Sequence, residues 1–141
     1  MKAILKEPKS EYYAFLKQNI EDFSLGKEEF LTKKNPFMRV IVIEEKEIVG
    51  VLIYSLIYER VELDYIAVAG QYRHRGYGEQ LMQALLEQCR LEHCQSISLE
   101  VREGNDVALQ FYRKLGFEKV AMRKQYYKSE NGILMVKQVK Q

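Results

Sequence analysis

At 141 residues the chain reads as a single domain, 1–141, with a core large enough to fold without disulfides or a structural metal. A formal net charge of +2, with no basic tract and no basic face interleaved with aromatics, argues against a nucleic-acid partner. No run approaches the ~20 apolar residues that span a bilayer, and Met1–Lys6 is too short for a signal peptide, so no membrane partner and a cytoplasmic location are expected.

The cysteines, Cys89 and Cys94, lie on and just past one predicted helix without metal-type spacing; they read as reduced thiols, and no metal site is expected. Ala3–Lys6 forms a short predicted strand closed by Pro8. Ser10 is placed to cap a helix in which Tyr12, Leu16, Ile20 and Phe23 recur at helical spacing. A shorter helix from about Lys27 to Lys33 buries Phe30 and Leu31 before Asn35-Pro36 stops it. Met38–Ile43 and Ile48–Tyr58 are β-branched and aromatic, and polar Glu45-Lys46-Glu47 joins them as a hairpin. The second run is apolar at nearly every position, which predicts a mid-sheet strand covered on both faces.

In the next strand, strict alternation puts Val61, Leu63, Tyr65 and Ala67 on one face and Glu62, Asp64, Ile66 and Val68 on the other. A helix from about Glu79 buries Leu81, Met82, Leu85, Leu86 and Cys89. Ser96–Val101 is a strand with Ile97, Leu99 and Val101 facing one way and Ser98 and Glu100 the other. Gly104-Asn105-Asp106 opens a helix that buries Val107, Ala108, Phe111, Tyr112 and Leu115 and ends at Gly116. Phe117–Met122 and Gly132–Val139 close the chain as two strands around a polar loop. This order describes an α/β mixed sheet with helices on both faces, not a doubly wound nucleotide fold.

Between the strand ending at Val68 and the helix near Glu79 lies Arg73-His74-Arg75-Gly76-Tyr77-Gly78. The first N–H groups of a helix lack intrahelical partners and sit at the positive end of its dipole, and glycine lets a phosphate approach them. Arg73 and Arg75 add charge-assisted donors suited to a diphosphate, while His74 reads as a solvated turn residue. A dinucleotide fingerprint would need glycine where Leu81 stands, and no Gly-Lys-Ser/Thr occurs.

Ile66-Ala67-Val68, then Arg73-x-x-Gly76-x-Gly78, then Leu99-Glu100-Val101-Arg102 with Asn105, Ala108, Tyr112 and Gly116-Phe117, resembles the GCN5-related N-acetyltransferase (GNAT) family. The likeness is greatest to its bacterial ribosomal-protein-alanine N-acetyltransferase branch, and it runs from about Glu59 to the C-terminus. The resemblance implies a mostly antiparallel sheet splayed at its centre to admit acetyl-CoA as co-substrate. It further implies that backbone at Ile66, Ala67 and Val68 pairs with the pantetheine arm, and that the turn Arg73, His74, Arg75, Gly76, Tyr77, Gly78 holds the diphosphate.

Acetyl transfer needs an amine stripped of its proton, because reference values of about 8 for a chain terminus and about 10.4 for lysine keep amines protonated at neutral pH. Glu100 is the candidate base, on a strand beside the proposed cleft, against the alternative of an ordinary solvated residue. Tyr112, whose phenol can protonate a thiolate, is the candidate acid; a core tyrosine is the alternative. Asn105 reads as a helix cap and, by resemblance, a cofactor contact.

For the amine, Arg123-x-x-Tyr126-Tyr127 and the following Glu130-Asn131-Gly132 resemble the peptide-binding loop of protein N-terminal acetyltransferases, so Tyr126 and Tyr127 are expected on a peptide. Glu62 and Asp64, on the neighbouring strand, are the reserve candidates for the base, or instead draw in a cationic amine. The chain departs from that branch in lacking any tryptophan and in having Asn131-Gly132 for Asp-Ala. A GNAT acting on a polyamine, amino acid or antibiotic, and an acyl-CoA-binding module without turnover, are the alternatives; the protein is read as a monomer or homodimer.

Overall fold

The computed structural model describes residues 1–127 and 130–139. In chain order the strands are β1 (Ala3–Lys6), β2 (Met38–Glu44), β3 (Ile48–Ile57), β4 (Arg60–Val68), β5 (Ser96–Arg102), β6 (Glu118–Tyr127) and β7 (Glu130–Gln138). The helices are α1 (Ser10–Asn19), α2 (Lys27–Leu31), α3 (Tyr77–Leu91) and α4 (Asp106–Lys114), with a 3-10 turn at Gly70–Tyr72. Among the described residues the strands form one sheet in the order β1-β2-β3-β4-β5-β7-β6, antiparallel except where β4 meets β5. The mixed, mostly antiparallel architecture expected from the sequence is therefore present.

Strand periodicity sorts the side chains into two cores. Ile41, Ile43, Leu52 and Tyr54 face α3 and α4, meeting Leu81, Met82, Leu85, Leu86, Cys89 and Leu109. Val40, Val42, Val51 and Ile53 face α1 and α2, meeting Tyr12, Phe15, Leu16 and Phe30. β3 supplies both cores, which is why nearly every position in it is apolar; each such fully buried aliphatic side chain contributes about 1.5–3 kcal/mol.

Several boundaries move from their predicted places. Ser10 is the first helical residue, not the cap: Lys9 holds the extended cap position, and its carbonyl accepts from the Tyr12 and Tyr13 amides. Ile20 ends α1, so Phe23 lies beyond it, stacked edge-on to Tyr13 and Tyr65. α2 stops at Leu31, two residues early. In α4, Val107, expected on the buried face, is 81% exposed, and Leu109, which the pattern left out, is buried instead. β6 and β7 extend through most of the predicted polar loop; residues 128–129 lie outside the described residues.

Candidate functional site

The site is a wedge in the sheet. β4 and β5 share only the pairs Arg60–Ser96, Val61–Ile97 and Glu62–Ser98, although both strands continue well beyond them. The cause lies in β4. Its pairing with β3 steps from Leu63–Tyr54 to Tyr65–Ile53, leaving Asp64 as a bulged extra residue. A bulge bends its strand, and this one comes two residues after the last β4–β5 pair. The buried Ser55 hydroxyl donates to Asp64 Oδ2 at 2.6 Å and accepts from Asn35 Nδ2 at 3.1 Å.

The bulge also corrects the predicted faces of β4. Val61 and Leu63 share the α3/α4 side with Ile66 and Val68, while Tyr65 and Ala67 face α1 and α2. Glu62, opposite Ser55, and Asp64, bonded to it, lie on that second side, so they share a side with Tyr65 and Ala67 instead of with Ile66 and Val68. Although Asp64 is exposed as a residue, desolvation pushes its carboxyl up to about 6, with the Ser55 hydrogen bond acting the other way.

At the mouth of the wedge, Val68 leads through the 3-10 turn to Gly76, which caps α3 at φ +84°. The first bond into the helix runs from Gln80 N to Gly76 O at 3.0 Å, leaving the amides of the first turn, Tyr77 and Gly78 among them, with no intrahelical acceptor. Arg73 is exposed, and its Nε donates to the Val68 carbonyl at 3.1 Å, bracing the turn and leaving its two terminal nitrogens to face outward. His74, at φ 63°, and Arg75 are exposed; Tyr77 stacks edge-on against Tyr72. The open edge of β4 at Ile66–Val68 suits an extended amide-bearing arm, and the free helix amides suit a diphosphate. These residues fit acetyl-CoA, the co-substrate implied by the resemblance.

Glu100 and Tyr112 come from opposite sides of the sheet. Leu99 and Val101 enter the α3/α4 core, which turns Glu100 the other way. Its side chain is 16% exposed, and neither carboxylate oxygen has a hydrogen bond among the described residues. Arg123 Nε does lie 2.8 Å from Oε1, so this contact is an ion pair without hydrogen-bond alignment. Burial raises the Glu100 pKa and Arg123 lowers it. Tyr112 is buried between Phe111 and Phe117, and burial, followed by the neighbouring Tyr127, raises its phenol above the ordinary range. Tyr127 is raised by burial too, and it feels Tyr126 and Glu100. Asn105 caps α4, its Oδ1 accepting from Ala108 N at 3.1 Å.

One wall was not legible from spacing. Arg102 reaches Asp22, in the loop after α1, through Nε at 3.0 Å and through Nη2, and reaches Glu130 Oε1 at 3.2 Å. Its guanidinium lies 4.2 Å from the Tyr127 ring centre, and Tyr127 and Tyr126 pack edge-on at 5.0 Å. The α1–α2 loop is thus tied to the β6–β7 hairpin beside Glu100. Arg102 follows Glu100 in the Leu-Glu-Val-Arg run, but no local signal points to Asp22. Among the described residues no His, Cys, Asp and Glu side chains converge as a metal set, and no helix is long and apolar enough to cross a membrane.

The protein is similar to the [ribosomal protein bS18]-alanine N-acetyltransferase of Haemophilus influenzae, 32% identical over 68% of this chain and 65% of that relative. The chain spans just under two thirds of the length of the first curated relatives it matches. Among solved structures, Ard1 from Thermoplasma volcanium is 27% identical, with a TM-score of 0.83 and full coverage of both chains. The ribosomal-protein-S18-alanine N-acetyltransferase from Escherichia coli shares the fold, with a TM-score of 0.84 at 20% identity over 99% of this chain and 95% of that one. The profile of the acetyltransferase (GNAT) family matches residues 1–117, most of the chain, and with the splayed sheet this means that the protein belongs to that family.

Proposed function

We propose that the protein moves an acetyl group from acetyl-CoA to the α-amine of a protein or peptide N-terminus. Acetyl-CoA supplies the acetyl group as an activated thioester. Glu100 takes the proton of the incoming ammonium, so that the amine attacks as the free base. Tyr112 offers its phenol to the departing thiolate. The open edge of β4 provides backbone N–H groups for the oxygen that gains charge.

The observation that carries this reading is the state of Glu100. A buried carboxylate whose oxygens lack hydrogen bonds is costly unless something binds it, and the raised pKa brings it toward the range where a carboxylate collects protons. Tyr112 is protonated at neutral pH and can hydrogen-bond the departing thiolate, although burial, by raising its phenol, makes it a weaker acid than an ordinary tyrosine. A protein substrate is supported by the adjoining rings of Tyr126 and Tyr127 beside Glu100. It is also supported by the Haemophilus relative, named as acting on an alanine of ribosomal protein bS18. A polyamine would lean on Glu62 and Asp64, but the Asp64 carboxyl is already bonded to Ser55 and is raised toward neutrality, which weakens it as a cation trap.

The test is acetyl-CoA consumption, with mass-spectrometric product detection, against peptides of varied N-terminus, polyamines, amino acids and aminoglycosides. Peptide α-amine acetylation that falls about 100-fold or more in Glu100→Gln, and clearly in Tyr112→Phe, is expected. Undiminished turnover in Glu100→Gln would remove the assigned base. Preferential turnover of polyamines, lost in Glu62→Gln, would replace the substrate class.

A further inference from the structure

Arg123 is the counter-charge of Glu100, the carboxylate proposed above as the base. It projects from β6, and its Nε lies 2.8 Å from Glu100 Oε1 while its guanidinium carbon is 5.2 Å from the Tyr126 ring centre. The cation is therefore held between the carboxylate and an aromatic face. Its opposite residue in the β6–β7 ladder is Gly132, and a methyl group there would stand 2.9 Å from Glu100 Oε2 and 3.0 Å from Tyr126 Cβ. The missing side chain makes room for the carboxylate and the ring to meet Arg123. The Arg123 side chain is 56% exposed against 16% for Glu100, so the arginine can swing into water while the carboxylate cannot.

The geometry points to Arg123 as an internal surrogate for the substrate ammonium, a positioning residue that occupies the amine subsite beside Glu100 and is displaced by the incoming α-amine. The inference rests on Glu100 being the base. Two charges cannot both lie against one buried carboxylate without repelling each other, so amine and guanidinium compete. In the absence of amine, Arg123 keeps a desolvated Glu100 ionised, opposing the effect of burial. When the amine arrives it takes over as counter-charge. The proton then passes from its nitrogen to a Glu100 oxygen, leaving a neutral amine and a neutral acid with Arg123 in solvent.

The other ionisable groups around Glu100 are Tyr126 and Tyr127 on β6, and Arg102 on its own strand, held by Asp22 and Glu130. Glu62 and Asp64 face the same side from β4. β7 contributes Leu134 opposite Glu100 and Gly132 opposite Arg102, neither of which titrates. Arg123 is the cation paired with Glu100, and Arg102 is committed to its own two carboxylates.

The test compares wild type, Arg123→Gln, Arg123→Lys and Glu100→Gln, using peptide acetylation across pH and carboxyl carbon NMR of Glu100 in the unliganded protein. In Arg123→Gln the Glu100 titration and the acid limb of kcat/KM both move upward. The peptide KM measured above that limb falls about threefold, the range of an exposed ion pair, with kcat little changed. Arg123→Lys restores the wild-type limb. An unmoved Glu100 titration in Arg123→Gln, or a KM that rises, overturns the proposal. Undiminished activity in Glu100→Gln instead overturns the assignment of the base, so the two failures are distinguishable. Thermal midpoint and acetyl-CoA affinity unchanged in Arg123→Gln are expected; a collapse of both in Arg123→Gln and Arg123→Lys alike assigns Arg123 to folding and overturns the proposal.

Discussion

Ser55 Oγ donates to Asp64 Oδ2 at 2.6 Å across the β3–β4 ladder, and this bond sits where the sheet stops being continuous. Ser55 is 3% exposed and also accepts from Asn35, so Ser55→Ala deprives a donor and a carboxylate of their shared partner. A stability loss of about 1–2 kcal/mol is expected, seen as a lower urea midpoint with unchanged slope.

Asp64 also gives a pH signature. Its carboxyl titrates near 6 in the folded protein, above the ordinary 3.8, so the folded state holds this proton more tightly than the unfolded chain does. The contribution to stability is full below the unfolded value and is lost as pH rises through 6. Asp64→Asn is therefore expected to gain on wild type between pH 4 and 6 in denaturation series; a constant difference between the two across that range contradicts this.

Gly76 and Gly78 separate conformation from ligand approach. Gly76 has φ +84° with open space where a Cβ would lie, so Gly76→Ala costs about 1–2 kcal/mol of backbone strain alone. Gly78 lies within the first turn of α3, and a Cβ there meets Phe111 at an ordinary 3.5 Å. Gly78→Ala is expected to leave the thermal midpoint unchanged or slightly raised while weakening acetyl-CoA binding by calorimetry. Equal affinity in Gly78→Ala would take this turn out of the diphosphate site.

Asn105 admits the same kind of separation. Asn105→Ala removes the acceptor for Ala108 N and costs about 1 kcal/mol, whereas Asn105→Asp keeps the cap. If the residue also contacts the cofactor, Asn105→Asp retains the wild-type melting temperature but loses acetyl-CoA affinity by charge repulsion.

Arg102→Ala releases Asp22 and Glu130 together. Hydrogen exchange across residues 20–25 is expected to quicken and the peptide KM to rise, with only a modest change in thermal midpoint because the ion pairs are partly open to solvent. Unchanged exchange in that loop would separate the Arg102 contacts from its order.

The helix faces, the strand inventory and the glycine turn were legible because they depend on local periodicity: all five predicted apolar positions of α3, Leu81, Met82, Leu85, Leu86 and Cys89, are buried. Alternation failed in β4 because no residue type announces a bulge. Asp64 reads as one more outward carboxylate, yet it shifts Tyr65 and Ala67 to the other side. Arg73 sits in the anion motif and its Nε also braces the Val68 carbonyl, a contact that only the turn's geometry reveals. Contacts such as Arg102 with Asp22 and Arg123 with Glu100 join distant parts of the chain, and periodicity carries no information about them.

The strand order has a consequence for synthesis. β7 lies between β5 and β6, so β5 has only the Arg60–Glu62 stretch to pair with until residues 130–138 have left the ribosome. The strand bearing Glu100 is thus a bare edge from its own synthesis until β7 emerges, and β6, made earlier than β7, has no neighbour at all over that interval. A nascent chain stalled before Glu130 presents both edges to other nascent chains, and the last strand to emerge is the one that seals them and fixes Gly132 beneath the Glu100 carboxylate.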